Sequence, residues 1–494
     1  MQKHTAQASV DAATSNTAGT EPKLVRGLAN RHIQLIAIGG AIGTGLFMGA
    51  GKMIHVSGSS IVLTYAIIGF FLFFVMRALG ELLLSNLNFK TFADFATHYL
   101  GEWAGFFVGW SYWMTLVIVG VADFIVIGGY FKFWFPDLTP WIPGMATLGF
   151  LFLLNIMAVK AFGEMEFWFA LIKIIAIVSL IVAAVVMVAT GFVSPNGVAA
   201  SFSHVIEPGT MFPNGVMGFF AGFQIAIFSF AGIELLGTTA AEAKDPYKTL
   251  PKAINAVPVR VLLFYVLSLS CIIAVSSWAM VAPDKSPFVQ LFQTAGLPIA
   301  AGVINFVVIS SAMSAGNCDV FCSSRMLFGL SCEVDAPSMF KRLSKSAVPM
   351  TALFFSCFCM FMGTALLVLV PDLMVVFTTV STIAAILFIF TWCIILASYL
   401  AYRAKRPDLH ASSTFKMPAG VVMSWACLVF FVFVLGLLAL ERDTRQALVF
   451  MPLWFVYLFV MYRIQRTKKR ALKLKTPYVS GRSNDGRSEA AAGI

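Results

Sequence analysis

Charge is what this chain has least of. Only 12% of its 494 residues are Asp, Glu, Lys or Arg, against 59% hydrophobic, where a soluble domain carries roughly a quarter charged residues. That excludes a water-soluble globular protein. Cysteine is sparse too. The eight cysteines include no CxxC pair and none beside histidine at metal-ligand spacing, so they read as small apolar packing residues. Walker A, HExxH and GxSxG motifs are all missing, which leaves ATP-driven pumping and membrane hydrolysis without support. Lys and Arg outnumber Asp and Glu by 34 to 23. They are scattered over several loops with no binding module, so a nucleic-acid partner is a poor reading.

What is present is apolar sequence in long unbroken runs. Such runs predict membrane-spanning helices, about 20 residues each, and not the short alternating strands of a barrel. Twelve candidate spans cover about 33–52, 59–80, 104–129, 144–159, 167–191, 214–238, 258–280, 298–322, 350–370, 374–401, 421–440 and 447–464. Residues 1–30 are polar with no apolar h-region, which reads as a cytoplasmic tail and not a signal peptide. Residues 466–494 form a basic tail of low complexity. With both termini cytoplasmic, 28 of the 34 Lys and Arg residues lie on that side, five lie outside, and Lys173 alone sits within a span. This bias rejects the inverted orientation, and the net charge of +11 reflects topology and contact with anionic lipid.

Four of the seven residues 39–45 (Gly-Gly-Ala-Ile-Gly-Thr-Gly) are glycine, inside the first span. Each costs a helix about 1 kcal/mol relative to alanine. Backbone that leaves the helix at membrane depth persists only where it is buried in protein or lines a cavity, and its freed N–H groups suit a small carboxylate. A second interruption falls in span six, at Phe228-Ser-Phe-Ala-Gly-Ile-Glu234. Two interrupted spans five apart fit two five-helix repeats of opposite orientation with the binding site between them. The competing reading is packing, because Gly39–Gly43 and Gly45–Gly49 both have GxxxG spacing. Lys173 lies about six residues inside span five. Burial there penalises its charge by a few kcal/mol, so it is a candidate to gain and lose a proton; snorkelling is the bland alternative. Glu234 either carries a proton or braces the broken helix. Arg77 and Glu81, four apart, read as a helix ion pair. Asp123 is placed near the outer end of span three, and Asp319 in span eight has no assigned role.

Several segments resemble the bacterial amino acid permeases of the amino acid–polyamine–organocation superfamily. They are Asn30–Phe47, Phe162-Gly-Glu-Met-Glu-Phe-Trp-Phe169, Gly232-Ile-Glu234 with Ala241-Glu-Ala-Lys-Asp-Pro246, and Ser324-Arg-Met-Leu327. Finer features are similar to the branch that carries D-serine, D-alanine and glycine: Gly218-Phe-Phe-Ala-Gly-Phe-Gln-Ile-Ala226, Arg406-Pro-Asp-Leu-His410, and Thr444-Arg-Gln-Ala-Leu448 before Pro452-Leu-Trp-Phe455.

The resemblance implies an all-α polytopic fold of twelve transmembrane helices. A core at 31–402 holds one repeat over about 33–191 and the second over about 214–401, and two peripheral helices follow at 403–465. It also implies that Gly43, Thr44 and Gly45 offer N–H or hydroxyl donors to a substrate carboxylate. Carbonyls near Ala41, Ile42, Phe228, Ser229 and Ala231 would accept from its ammonium, with Phe228 as an aromatic gate. Lys173 and Glu234 would serve proton coupling, Ser310, Ser311 and Ser314 would neighbour Lys173, and Thr115 and Val119 would discriminate side chains. Cys318 and Asp319 depart from the family pattern, and they are expected to lie away from the pocket.

The expected function is a proton-coupled symporter of small neutral amino acids, working by alternating access in a bacterial inner membrane. It would need no cofactor beyond the proton gradient, and no obligatory protein partner is indicated. The alternatives are another amino acid specificity, a passive facilitator, or a non-transporting nutrient sensor.

Overall fold

Hydrocarbon offers a backbone no water to pair with, so an apolar segment satisfies its N–H and C=O groups internally, as helix. The computed structural model of the protein is built this way, and it describes residues 42–87, 89, 91–157, 159–195, 197–207, 209–234 and 245–475. Among these residues the only strand-like feature is an isolated bridge between Val193 and Ala199. Nine of the described helical stretches are long and apolar enough to cross a membrane, and two shorter apolar helices accompany them.

A π turn (Gly45–Gly49) leads into α1 (Ala50–Ser57). Then come α2 (Ile61–Ser85), the short α3 (Phe92–Leu100), and α4 (Glu102–Phe131). Next are α5 (Trp141–Met157), α6 (Val159–Ala189) and α7 (Gly215–Ser229). α8 (Pro246–Asn255) precedes α9 (Val257–Arg260), which continues through a π stretch (Val261–Leu267) into α10 (Ser268–Val275). The rest are α11 (Pro287–Thr294), α12 (Pro298–Cys332), α13 (Met350–Thr364), α14 (Leu366–Leu369), α15 (Leu373–Lys405), α16 (Pro407–Ser412), α17 (Gly420–Leu440) and α18 (Arg442–Lys475).

Local chemistry sets the ends of the central helices. Pro298 opens α12, where a missing N–H costs nothing. Asp372 caps α15 by accepting from Met374 N (2.9 Å) and Val375 N (3.1 Å). α4 is the centre of the bundle and packs along α12, α15 and α3. Of its most apolar stretch 72% is buried against protein, against 17% for α18, so α18 presents most of its surface to lipid.

The span expected at 214–238 stops at Ser229. Residues 231–234 form a turn in which Gly232 takes φ 86°, a left-handed conformation that glycine adopts without penalty. The part of the first span before Ile42 lies outside the described residues, as does the tail at 1–30.

One expectation is overturned. Arg77 and Glu81 do not pair. The segment 406–419 folds back over the end of α2 and, with Tyr399 of α15, supplies Glu81 with other partners. The buried carboxylate accepts from Tyr399 Oη (3.0 Å) and Met417 N (2.8 Å), and pairs with His410 Nδ1. Arg77 turns instead to Asn255 Oδ1 (2.9 Å) and the Lys416 carbonyl, and its guanidinium lies 3.8 Å over the Phe415 ring. A buried carboxylate takes the donors that desolvate with it, and an i,i+4 neighbour near the surface is worth only a few tenths of a kcal/mol.

Candidate functional site

Two half-helices meet head to tail beside α4. The first starts where the chain bends at Ile42–Gly43: Leu46 N and Phe47 N both donate to Gly43 O (3.2 and 3.3 Å). The N–H groups of Gly43, Thr44 and Gly45 precede that first bond, so they have no partner within the half-helix they open. The second half-helix, α7, ends at Ser229. Phe230 N and Ala231 N close it onto Ile227 O (3.2 Å) and Phe228 O (3.0 Å). The positive end of one half-helix dipole therefore lies next to the negative end of the other.

Glycine makes this approach possible. A Cβ on Gly45 would stand 2.5 Å from Ser229 Cα, and one on Gly49 would collide with Ile225. The GxxxG spacing of Gly45 and Gly49 is thus a packing device, and it is also what brings the two helix ends together. The packing reading holds for Gly45 and Gly49, while Gly39, with the chain before Ile42, lies outside the described residues.

Between the ends lies a cavity of about 40 Å³. On the measure by which one water needs roughly 10–15 Å³, this is room for a few waters or a very small solute. Gly43, Thr44 and Gly45 line it from the first half-helix, and Phe228, Ser229, Ala231, Gly232 and Glu234 from the second. Leu116, Val119 and Asp123 face it from α4, Glu166 and Lys173 from α6, Ser314, Ala315, Cys318 and Asp319 from α12, and Phe388 from α15.

The expected residues fall as follows. The Thr44 hydroxyl is not free for a ligand: it donates to Asp123 Oδ1 at 2.7 Å. Ile42 O already accepts from Ser311 Oγ (3.3 Å), and Ser229 O from Tyr265 Oη (2.8 Å). Each carbonyl keeps a second lone pair for another donor. The Phe228 ring sits edge-on to Phe377, 5.8 Å between centroids. Glu234 is 1% exposed and receives Tyr112 Oη (3.2 Å) and Trp392 Nε1 (3.4 Å). Val119 lines the cavity. Thr115, one turn away, does not, and its hydroxyl donates to Ser111 O (2.7 Å). Ser314 alone of the three serines reaches the cavity, and it donates to Glu166 Oε2 (2.8 Å). Ser310 bonds its own helix at Val307 O (2.7 Å). Lys173 is 1% exposed and interacts electrostatically with Glu166 and Asp123. Ala41 lies outside the described residues.

Three acids make the cavity more charged than the sequence reading allowed. Asp123 is fully buried on the cavity and not at an outer helix end. Cys318 and Asp319 line the cavity, contrary to the expectation that they lie away from it. Glu166, within the Phe162–Phe169 segment, was given no role, yet it faces Lys173. The available signal was the residue type itself: an acid inside an apolar span is by default a candidate for function.

Comparison with known proteins fits this architecture. The family described as "Amino acid permease" matches residues 32–475. The chain is 57% identical over 466 residues to the D-serine/D-alanine/glycine transporter of Escherichia coli (strain K12), covering 94% of this chain and 99% of that protein. It is 47% identical over 455 residues to the amino-acid permease AapA of Bacillus subtilis (strain 168), covering 92% and 98%. Identity to the DL-alanine permease SerP2 of Lactococcus lactis subsp. cremoris is 39% over 448 residues, covering 90% and 96%. The chain therefore belongs to the amino acid permease family, whose members are membrane transporters and not enzymes.

Proposed function

We propose that the protein imports D-serine, D-alanine and glycine together with protons, by alternating access. The observation that carries this reading is the small cavity between a half-helix start and a half-helix end. A zwitterion matches both. Its carboxylate meets the N–H groups of Gly43, Thr44 and Gly45, and its ammonium meets the carbonyls around Ile42, Phe228, Ser229 and Ala231. The cavity volume favours side chains no larger than a hydroxymethyl group, which agrees with the substrates named for the 57% identical relative. Neither helix end selects an enantiomer, so acceptance of D-forms rests on that relative alone.

The rest of the reading is a five-plus-five inverted repeat within twelve transmembrane helices, in a bacterial inner membrane with both termini cytoplasmic. The positive-inside count supports this orientation. Lys173 changes its protonation during the cycle, using the proton gradient and no cofactor, and Glu234 braces the turn after α7.

The test is uptake of labelled glycine into liposomes of purified protein under an inward proton gradient, competed with both enantiomers of serine and alanine. Accumulation that collapses with a protonophore is expected, with D-serine and D-alanine competing well. Uptake indifferent to the protonophore removes the coupling. Lys173→Ala is expected to lose accumulation more than exchange; gradient-driven uptake at the unsubstituted level in that variant would dismiss the role of Lys173.

A further inference from the structure

α4 and α12 carry the same four-residue pattern, Gly120-Val-Ala-Asp123 and Gly316-Asn-Cys-Asp319, and they pack with the two copies in reciprocal register. A Cβ on Gly120 would stand 3.4 Å from Asp319 Cβ, and one on Gly316 would stand 3.7 Å from Asp123 Cβ. Each glycine position faces the aspartate of the opposite helix at ordinary contact distance. The two carboxyl groups therefore share one stretch of the cavity wall and act on each other electrostatically. They are 0% and 6% exposed, and the Oδ2 atom of each is buried with no hydrogen-bond partner among the described residues.

Two ionised carboxylates have no hydrogen to place between them and repel strongly at this separation. One proton makes one of them a donor to the other. We infer that Asp123 and Asp319 bind one proton between them, and that this pair is a proton site of the transport cycle distinct from Lys173. The inference rests on the transporter reading above.

The surroundings divide the roles. Asp123 has the Thr44 hydroxyl on Oδ1 and the Lys173 ammonium nearby, so it holds the negative charge. Asp319 faces Glu234 and Cys322, which offer no cation, so it holds the proton. The other titratable groups facing the pair are Glu166 on α6, Tyr112 and Tyr130 on α4, and Cys318 on α12. When the proton leaves to the cavity, the pair passes from one negative charge to two.

That change acts on the substrate site through one hydrogen bond. Asp123 accepts from Thr44, the residue that opens the first half-helix. A doubly charged pair competes with a substrate carboxylate for the positive end of that half-helix, and the two repel. A protonated pair leaves that end free for the zwitterion. Proton and amino acid therefore bind together or not at all, as symport requires.

Asp319→Asn tests this, because a carboxamide donates to Asp123 as the protonated acid does but releases no proton. With an inward pH difference of one unit, each coupled proton supports about tenfold accumulation of glycine, so the variant, which keeps Lys173, is expected to accumulate about tenfold less than the unsubstituted protein. Its glycine exchange without a gradient is expected to persist and to depend less steeply on pH. A second readout does not depend on transport. The infrared spectrum of the purified protein should contain a protonated carboxyl band at neutral pH that Asp319→Asn and Asp123→Asn each remove. Accumulation in Asp319→Asn equal to the unsubstituted protein, or an infrared spectrum in which neither variant removes a band, overturns the inference. If a variant loses both flux modes, the infrared result decides. If the unsubstituted protein itself ignores a protonophore, the coupling reading has failed, and the infrared readout still reports on the shared proton.

Discussion

Replacing Gly45 with alanine probes the contact that brings the two helix ends together. The added Cβ would lie 2.5 Å from Ser229 Cα and 2.8 Å from Ser229 Oγ. The first of these is backbone, so a rotamer change cannot relieve it, and one half-helix has to move. Overpacking of this kind costs about 1–3 kcal/mol. If that strain is relieved by opening the ligand-binding geometry, glycine affinity falls about 5- to 150-fold. The assay is binding or exchange of labelled glycine in purified protein, beside thermal unfolding in detergent. Exchange and accumulation should fall together, because both need the bound zwitterion. Gly149→Ala is the control: α5 has open space there, with nothing within 4 Å of an added Cβ. Glycine affinity in Gly45→Ala within twofold of the control would refute the claim that the close approach shapes the site.

Two further substitutions test other parts of the structure. Val119→Phe should abolish glycine binding by filling a cavity of about 40 Å³. Val119→Ala should shift the ratio of four-carbon amino acids to glycine about tenfold, the usual worth of a methylene in a tight pocket; a competition panel with unchanged ratios would remove Val119 from selectivity. Glu81→Ala deprives Tyr399, Met417 N and His410 of their shared acceptor, at about 1–3 kcal/mol for each buried partner left unpaired. It should lower the unfolding temperature and speed amide exchange at Met417; unchanged exchange there would show that Glu81 does not anchor residues 406–419.

The parts of this molecule legible in its sequence were those set by local pattern. Apolar run length gave the helices α2, α4, α15 and α17 with ends a few residues off, and the start of α12, whose last ten residues, more polar, ran past the expected span. Gly232 marked the place where the chain leaves α7, and Gly43 the bend from which the first described helix starts. What stayed hidden was set by neighbours distant in sequence. Arg77 and Glu81 looked like a pair because only their own helix was visible, while the true partners lie more than 300 residues away at His410, Met417 and Lys416. The Thr44 hydroxyl stood beside its N–H as a possible ligand donor because nothing local tells that Asp123, 79 residues on, takes it. Asp123 and Asp319 were each visible as acids in apolar spans. Their pairing needed the register of α4 against α12, which the repeated Gly-x-x-Asp pattern specifies only once the two helices are known to touch.

The most direct test of the account is a structure of the protein with glycine bound. The carboxylate oxygens should lie about 2.7–3.2 Å from the N–H groups of Gly43, Thr44 and Gly45, with the ammonium on the carbonyl side formed by Ile42, Phe228 and Ala231. A glycine whose carboxylate rests on Lys173, with both half-helix ends untouched, would contradict it.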